Sequence, residues 1–141
     1  MLGCIRSSMF AVVLGSALTL APSTAEAQPV TYDQLKQATD DNSSWLMYGR
    51  DYSGHRYVGL DQISPASVDR LHPAWVYATG GEKRGLQATP LIHDGVLYVS
   101  ADGSRVFAID ARTGAKKWRY DPELSAEAER VYCCGSINRG V

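Results

Sequence analysis

Two adjacent cysteines near the end of the chain, Cys133 and Cys134, are the residues whose types most directly suggest chemistry. Adjacent Cα atoms lie about 3.8 Å apart, below the roughly 4.4–6.8 Å that a disulfide usually spans, so a bond between them closes a small, strained ring. Strain of that kind persists mainly at ligand sites. The alternative is a pair of free thiols, or thiols that bond to other chains, and the two cysteines alone leave both interpretations open.

Other groups with potential chemistry form no recognisable pattern. His55, His72 and His93 are scattered and lack the spacing of metal ligands, so we interpret them as surface or packing residues. We find neither a glycine loop that would cradle a phosphate nor a calcium-binding loop. The net charge is −1 without a basic cluster, so we expect no nucleic-acid partner.

Residues 1–27 are predicted to be a cleavable export signal. Arg6 supplies a positive charge, an uncharged apolar run follows, and Ala25-Glu26-Ala27 offers small residues at the positions that signal peptidase reads. A membrane anchor is the alternative, but the apolar run is short for a bilayer and Pro22 interrupts it. We therefore expect a soluble periplasmic domain over 28–141, with no membrane span after signal removal.

Beyond the signal, the sequence predicts a short helix, a helical turn and then short strands. Thr31 followed by Gln34 predicts a capping box for a helix over 31–41. Ser64-Pro65 predicts one helical turn that continues to Leu71. From there onward, β-favouring runs alternate with tight turns. The predicted strands are 75–77, 89–92, 96–100, 106–110 and 117–120.

Two of the predicted turns have specific chemistry. Asp94-Gly95 is a strong signal for a tight hairpin turn. In the connection that follows residue 110, the Asp110 carboxylate can accept hydrogen bonds from the backbone amides of the turn. Gly114 supplies the positive φ that closing such a turn usually requires.

A repeated pattern favours a β-propeller among the all-β folds. Trp75-x-Tyr77 recurs as Trp118-x-Tyr120, 43 residues later, and a period of ~40–50 residues is typical of a four-stranded propeller blade. A coincidental match in an immunoglobulin-like sandwich is the alternative. Because propellers close with ~4–8 blades, we expect one complete blade and part of another, in a truncated chain.

Several segments together resemble pyrroloquinoline-quinone (PQQ) dependent alcohol dehydrogenases. The run 108–118 is similar to their tryptophan-docking motif, A-x-D-x-x-T-G-x-x-x-W, with Asp110, Gly114 and Trp118 at its defined positions. Residues 45–54 resemble the N-terminal segment of the family, and the paired cysteines followed by Asn-Arg-Gly are the most specific match. The resemblance implies that the chain is the N-terminal part of an eight-bladed propeller.

The resemblance also implies roles for four residues beside the cofactor. The Cys133–Cys134 pair is implied to form a disulfide that lies as a rigid plate against one face of the planar PQQ ring. Arg139 is implied to lie beside the quinone oxygens, where its guanidinium stabilises developing negative charge. Gln87 stands where the family commonly has a glutamate that contacts PQQ, which changes the local charge by one. For Arg139 and Gln87, an ordinary surface role is the alternative.

The implied reaction is the oxidation of a primary or secondary alcohol to an aldehyde or ketone, with PQQ as electron acceptor. Ca²⁺, or a lanthanide in some relatives, is implied to polarise the quinone, and reduced PQQ to pass electrons to a cytochrome c. We expect the metal ligands and the catalytic base to lie beyond Val141. The alternative is a non-catalytic propeller that acts as a periplasmic scaffold or assembly factor, which gives no reason for Cys133-Cys134 with Arg139.

Overall fold

A computed structural model describes residues 28–80, 85–131, 136 and 138–141. The strands form one antiparallel sheet in the order β1-β2-β3-β4, and the helices are short, which confirms the all-β prediction. The elements, in chain order, are helix α1 (Tyr32–Lys36), a 3-10 turn (Val68–Arg70), β1 (Leu91–His93), β2 (Val96–Ser100), a second 3-10 turn (Asp102–Ser104), β3 (Val106–Asp110), β4 (Lys116–Tyr120) and helix α2 (Ala126–Val131).

Helix α1 begins where the sequence predicts and ends earlier. The capping box is present, since Thr31 Oγ1 accepts a hydrogen bond from the Gln34 amide and Gln34 Oε1 accepts one from the Thr31 amide. The predicted length, 31–41, was wrong, because the regular helix stops at Lys36. The residues that follow include Thr-Asp-Asp at 39–41, which are weak helix formers. The chain continues there in turns.

The strand predictions from residue 89 onward agree closely with the structure. Strands β2 and β3 have the predicted bounds, and β4 starts one residue early, at Lys116. Strand β1 begins at Leu91 rather than at residue 89. The preceding Pro90 has no amide hydrogen to donate to a neighbouring strand, which explains the later start. Asp94 and Gly95 both have positive φ in the tight turn between β1 and β2, as their residue types predict.

The strand predicted over 75–77 is wrong, because the structure has no strand there. Trp75 and Tyr77 are half-buried while Val76 is 87% exposed, so the side chains alternate as in a strand. The ring of Tyr77 meets that of Phe107 edge-on, at 5.7 Å between centroids. The sequence alternation therefore reflects two aromatic side chains packed on the sheet and not backbone pairing. Helix α2 was not predicted.

The hydrophobic core lies on one face of the sheet. Alternate residues of β2 and β3 point to this face, so Val99 pairs with Phe107 across the two strands. Phe107 is only 2% exposed. The core is formed by Val99, Ala101, Phe107 and Ile109, with Trp75, Tyr77, Ala88 and Leu97 packed against them. Residues of the segment before β1 thus cover this face of the sheet.

The predicted helical turn after Ser64 is present in modified form. The amides of Ser67 and Val68 both donate to the Ser64 carbonyl, at 2.9 Å each. The regular 3-10 turn covers only Val68–Arg70. This turn lies before the segment that covers the sheet and leads the chain towards it.

Candidate functional site

The connection between β3 and β4 is held by one carboxylate. Asp110 Oδ1 accepts hydrogen bonds from the Arg112 amide at 3.1 Å, the Thr113 amide at 2.9 Å and the Thr113 hydroxyl at 2.9 Å. The hydroxyl and amide of Thr113 contribute most to holding the pKa of Asp110 below its ordinary value. The turn therefore has the hydrogen bonds that its residue types predict, and it favours an ionised Asp110.

An indole from earlier in the chain packs on this turn. Trp75 Nε1 donates a hydrogen bond to the Ala111 carbonyl at 3.1 Å. Gly114 has a φ of +74°, and a Cβ atom at this position would lie 2.7 Å from Cδ2 of the Trp75 ring. Glycine is thus required here both for its backbone conformation and for the contact. The sequence motif singled out Gly114 but not its partner Trp75, which the repeat of Trp-x-Tyr could have suggested.

Trp118, the tryptophan within the motif, lies elsewhere. Its ring is 6.0 Å from that of Tyr98, on the sheet face opposite Phe107, and the residue is 46% exposed. Within the described residues, the indole that packs on the Asp110–Gly114 turn is that of Trp75. The docking of Trp118 on a neighbouring blade stays a prediction.

Two residues that the sequence proposed for cofactor binding meet at the other end of the sheet. Arg139 Nε donates a hydrogen bond to Gln87 Oε1 at 3.2 Å, across 52 positions of sequence. Both residues are exposed. Gln87 lies shortly before β1, while Arg139 lies in the last described segment. Tertiary structure therefore brings this pair together at the surface, where a ligand can reach it.

Hydrogen bonds to the end of β2 and to the turn after it hold the segment that carries Arg139. The Ser100 hydroxyl, in a residue only 1% exposed, donates to the Asn138 carbonyl at 3.2 Å. The Gly103 amide donates to the Ser136 carbonyl at 2.8 Å. The Ser136 hydroxyl also donates to a carboxylate oxygen of Asp102. The end of β2 and the 3-10 turn after it thus set the position of the residues on both sides of residue 137.

A surface cavity of about 220 Å³ opens beside Arg139. Its wall includes the start of β1 and the segment that follows Trp45. That segment is held in place by Trp45, whose amide and carbonyl both hydrogen-bond to Ile92, at 2.8 and 2.9 Å. The residues that line the cavity are Leu46, Met47, Tyr48, Thr89, Leu91, Arg139, Gly140 and Val141.

The cavity combines one cation with an apolar wall. The family resemblance implies a role for Arg139 but none for Leu46, Met47 or Tyr48 individually. The signal was present in the Trp-Leu-Met-Tyr-Gly run, which is unusually apolar and aromatic for a segment rich in turns. A flat, largely apolar ligand with negatively polarised oxygens would match such a wall and its single guanidinium.

A second cavity, of about 280 Å³, shares Leu46 and Leu91 with the first and extends to His93 at the end of β1. His93, only 7% exposed, lines it, and its Nε2 donates to the Gln28 carbonyl at 3.1 Å. The other ring nitrogen, Nδ1, is buried and has no partner within the described part of the chain. The His93 ring is therefore buried and bonded to the start of the described chain at Gln28.

Some of the proposed chemistry falls outside the described residues. Cys133 and Cys134 both lie there. In the described ranges, no group of three or more histidine, cysteine, aspartate or glutamate side chains is arranged to hold a metal ion. Those same ranges contain no helix with the length and apolar character needed to cross a bilayer.

Comparison with known families and structures identifies close relatives. The family model for PQQ, described as the β-propeller domain of glucose/ethanol/alcohol dehydrogenase, matches residues 45–141. Quinohemoprotein alcohol dehydrogenase ADH IIB of Pseudomonas putida is 39% identical over 137 residues, which are 97% of this chain and 19% of that relative. This chain spans about a fifth of the length of such relatives.

Solved structures show the same relationship. The quinohemoprotein alcohol dehydrogenase from Comamonas testosteroni aligns with a TM-score of 0.72 and 42% identity, over 79% of this chain and 17% of that one. A europium-containing methanol dehydrogenase aligns with a TM-score of 0.67 and 34% identity, over 77% of this chain and 19% of that one. The four-stranded sheet is thus part of a β-propeller, as predicted, and the sandwich alternative is wrong.

Proposed function

We propose, since this chain belongs to the glucose/ethanol/alcohol dehydrogenase β-propeller family, that the full-length protein oxidises a primary or secondary alcohol to an aldehyde or ketone with PQQ. The observation that carries this proposal is the hydrogen bond between Arg139 and Gln87, at the edge of the 220 Å³ cavity. The family resemblance implies a cofactor role for both residues, and they meet although 52 positions separate them.

The residues at this cavity fit a planar quinone. Only Nε of the Arg139 guanidinium is engaged within the described residues, which leaves Nη1 and Nη2 as donors for a ligand. The apolar side chains of Leu46 and Leu91 line the wall beside it. Apolar walls with a few placed polar groups are typical of cofactor sites. This donor set therefore suits a flat molecule that carries oxygen acceptors at its edge.

Arg139 contributes charge and orientation to the reaction. PQQ, when bound, supplies the two-electron acceptor, and the organic chemistry belongs to that cofactor. The guanidinium stays protonated and stabilises negative charge on an adjacent ligand oxygen. The hydrogen bonds that fix Asn138 and Ser136 reduce the reorganisation needed when this charge develops. The role of this chain is thus to hold one cation beside the cofactor.

The paired cysteines are proposed to form the adjacent wall. Cys133 and Cys134 lie shortly before Ser136, whose carbonyl accepts a hydrogen bond from the Gly103 amide in the turn that follows β2. In an oxidising compartment, a disulfide between them would provide a flat, apolar surface for the ring. A thiol titration of the denatured, oxidised protein tests this, and we expect no free thiol from either cysteine. Two titratable thiols would contradict the disulfide.

The remaining parts of the proposal concern the full-length protein. Ca²⁺ or a lanthanide is proposed as the metal partner of PQQ, with ligands beyond Val141, and the europium-containing relative supports the lanthanide option. A cytochrome c is proposed as the electron acceptor. Export to the periplasm after cleavage of residues 1–27 is proposed from the tripartite pattern of that segment.

Reconstitution of the full-length protein tests the function. The apoprotein is mixed with PQQ and either Ca²⁺ or La³⁺, and dye-linked oxidation of ethanol and of a secondary alcohol is measured. We expect alcohol-dependent dye reduction that requires PQQ. Arg139→Ala should reduce the rate at least tenfold, since one electrostatic donor commonly contributes that much or more.

Arg112→Ala is the matched control. Arg112 is likewise an exposed arginine, but it lies in the Asp110–Gly114 turn, at the other end of the sheet. Its loss should leave the rate unchanged. If the wild-type protein neither binds PQQ nor oxidises an alcohol under either metal, the dehydrogenase proposal fails and a non-catalytic propeller is favoured.

A further inference from the structure

The hydrogen bond between Arg139 and Gln87 joins a charged guanidinium to a neutral amide, a pairing that the proposed reaction does not require. We propose, on the basis of the function above, that Gln87 is a positioning residue for Arg139, and that its neutral amide leaves the guanidinium charge uncompensated. The site then favours the reduced, more negative form of the cofactor. The Gln87 amide thus has two effects: it orients the Arg139 guanidinium, and it contributes to the preference of the site for reduced over oxidised cofactor.

The positioning role follows from which nitrogen is bonded. Gln87 Oε1 accepts from Nε of Arg139, the nitrogen nearest the side-chain stem. A bond at Nε restrains the rotation of the planar group about its stem and leaves the outer edge, Nη1 and Nη2, for a ligand. Without this bond, an exposed arginine would sample several rotamers and would have to be ordered on binding.

The backbone around Arg139 adds to this restraint. The Gly140 amide donates to Asn138 Oδ1 at 3.1 Å, and the Asn138 carbonyl accepts from Ser100. The main chain is therefore anchored to the end of β2 at Asn138, and the Gly140 amide is held by the Asn138 side chain. Gln87 is the partner that orients the side chain itself. Main-chain and side-chain restraints are thus separate, and the second can be removed by substitution at an exposed position.

The charge effect follows from the chemistry of the partner. A carboxylate at position 87 would form an ion pair with Arg139 and would oppose further negative charge nearby. A glutamine accepts the same hydrogen bond without adding charge. In the described residues, no acidic side chain is hydrogen-bonded to Arg139, and the salt bridges there involve other residues. The full positive charge of Arg139 therefore faces the cavity.

Two substitutions separate orientation from charge. Gln87→Glu keeps an oxygen acceptor and adds one negative charge, whereas Gln87→Met keeps approximate size and removes the acceptor. Gln62→Glu repeats the first change at an exposed glutamine in the loop before Val68–Arg70 and serves as the matched control. Since Gln87 is exposed, we expect all three full-length variants to fold, with unfolding midpoints close to that of the wild type.

The readouts are the dissociation constants of oxidised and reduced PQQ for the apoprotein, and the midpoint potential of the bound cofactor. Gln87→Glu should lower the preference for the reduced form by about tenfold, which for a two-electron couple is about 30 mV lower in potential. Gln87→Met should weaken the binding of both forms by about threefold to tenfold, with a smaller change in potential. Gln62→Glu should change neither quantity.

The possible results separate this inference from the proposed function. If the wild-type protein binds PQQ and oxidises alcohol, but Gln87→Glu and Gln87→Met retain its dissociation constants and potential, the inference is wrong and the function stands. A higher potential in Gln87→Glu would also overturn the charge effect. If the wild-type protein does not bind PQQ, both the function and the inference are wrong.

Discussion

The two ends of the sheet are built for different purposes. At one end, Trp75 packs against Gly114 with no space for a single added methyl group, and its indole nitrogen is hydrogen-bonded. At the other end, Arg139 and Gln87 are exposed and share one hydrogen bond beside an open cavity. The first arrangement depends on close packing, while the second leaves hydrogen-bonding capacity for a ligand.

This difference teaches where stability and binding are expected to reside. Close-packed contacts contribute to the free energy of unfolding, because any change of volume there must be accommodated by neighbouring atoms. An exposed hydrogen bond between an arginine and a neutral amide contributes little to that free energy, whereas the charge of the arginine contributes to the binding of a complementary ligand. Substitutions at the Trp75–Gly114 end should therefore lower mainly the free energy of unfolding, and substitutions at the Arg139–Gln87 end should lower mainly the affinity for the cofactor.

The largest loss of stability is expected for Gly114→Ala. The added Cβ would meet the Trp75 ring at 2.7 Å, and alanine is strained at a φ of +74°. Together, the backbone and packing costs should lower the free energy of unfolding by roughly 2–4 kcal/mol. Urea denaturation of the full-length protein, followed by tryptophan fluorescence, measures the change.

Gly95→Ala is the matched control for this substitution. Gly95 has a similar φ of +70°, but nothing lies within 4 Å of an added Cβ. Its cost should be the backbone contribution alone, about 1–2 kcal/mol. Equal losses in the two variants would show that the contact with Trp75 does not matter, and the contrast between the two ends of the sheet would be lost.

A smaller loss is expected for Trp75→Phe. The variant keeps an aromatic ring on the turn but loses part of its area and the hydrogen bond to the Ala111 carbonyl. The free energy of unfolding should fall by about 1–2 kcal/mol. Tyr77→Phe, which keeps the edge-on contact with Phe107, should change it by less than about 0.5 kcal/mol. If Tyr77→Phe lost as much stability as Trp75→Phe, the contact between Trp75 and the Asp110–Gly114 turn would have no special contribution.

The Asp110 turn should make stability depend on pH. The pKa of Asp110 is lowered in the folded state, chiefly by the Thr113 hydroxyl and amide. Its contribution is therefore complete above the unfolded-state pKa of about 3.9 and is lost as the pH falls through the lower folded-state value. Asp110→Asn should reduce stability at pH 7 and make progressively less difference as the solution becomes more acid.

A second variant checks that the turn hydrogen bonds cause this dependence. Thr113→Val removes the hydroxyl that donates to Asp110 at 2.9 Å. The pKa of Asp110 should then lie closer to its ordinary value, and the pH-dependent part of the stability should shrink. A constant difference between Asp110→Asn and the wild type from pH 3 to pH 7 would contradict this account.

The smallest effect on stability is expected for Arg139→Lys. The substitution keeps the charge at an exposed position, so the free energy of unfolding should change by less than about 0.5 kcal/mol. A lysine cannot bond to Gln87 and present a planar fork to the ligand together, so the dissociation constant of PQQ should rise about tenfold. Arg112→Lys should alter neither value. If Arg139→Lys instead lowered the free energy of unfolding and left the dissociation constant of PQQ unchanged, the contrast between the two ends of the sheet would be contradicted.

Local sequence patterns predicted the parts of the fold that depend on neighbouring residues. The capping box at Thr31, the Asp94-Gly95 turn and the bounds of β2 and β3 all follow from short-range chemistry. The failures arose where distant segments decide the outcome. Trp75 to Tyr77 have the alternation of a strand, but whether a strand forms depends on a pairing partner elsewhere in the chain.

For the site, the sequence by itself determined which groups are available: one permanently charged guanidinium, one neutral amide and two adjacent cysteine side chains. Only the tertiary structure decided that Arg139 meets Gln87 across 52 positions and that Arg139 lines a cavity. The physical reason is that residue type sets charge and hydrogen-bonding capacity, whereas the distance between remote residues depends on how the sheet and its anchoring hydrogen bonds fold the chain.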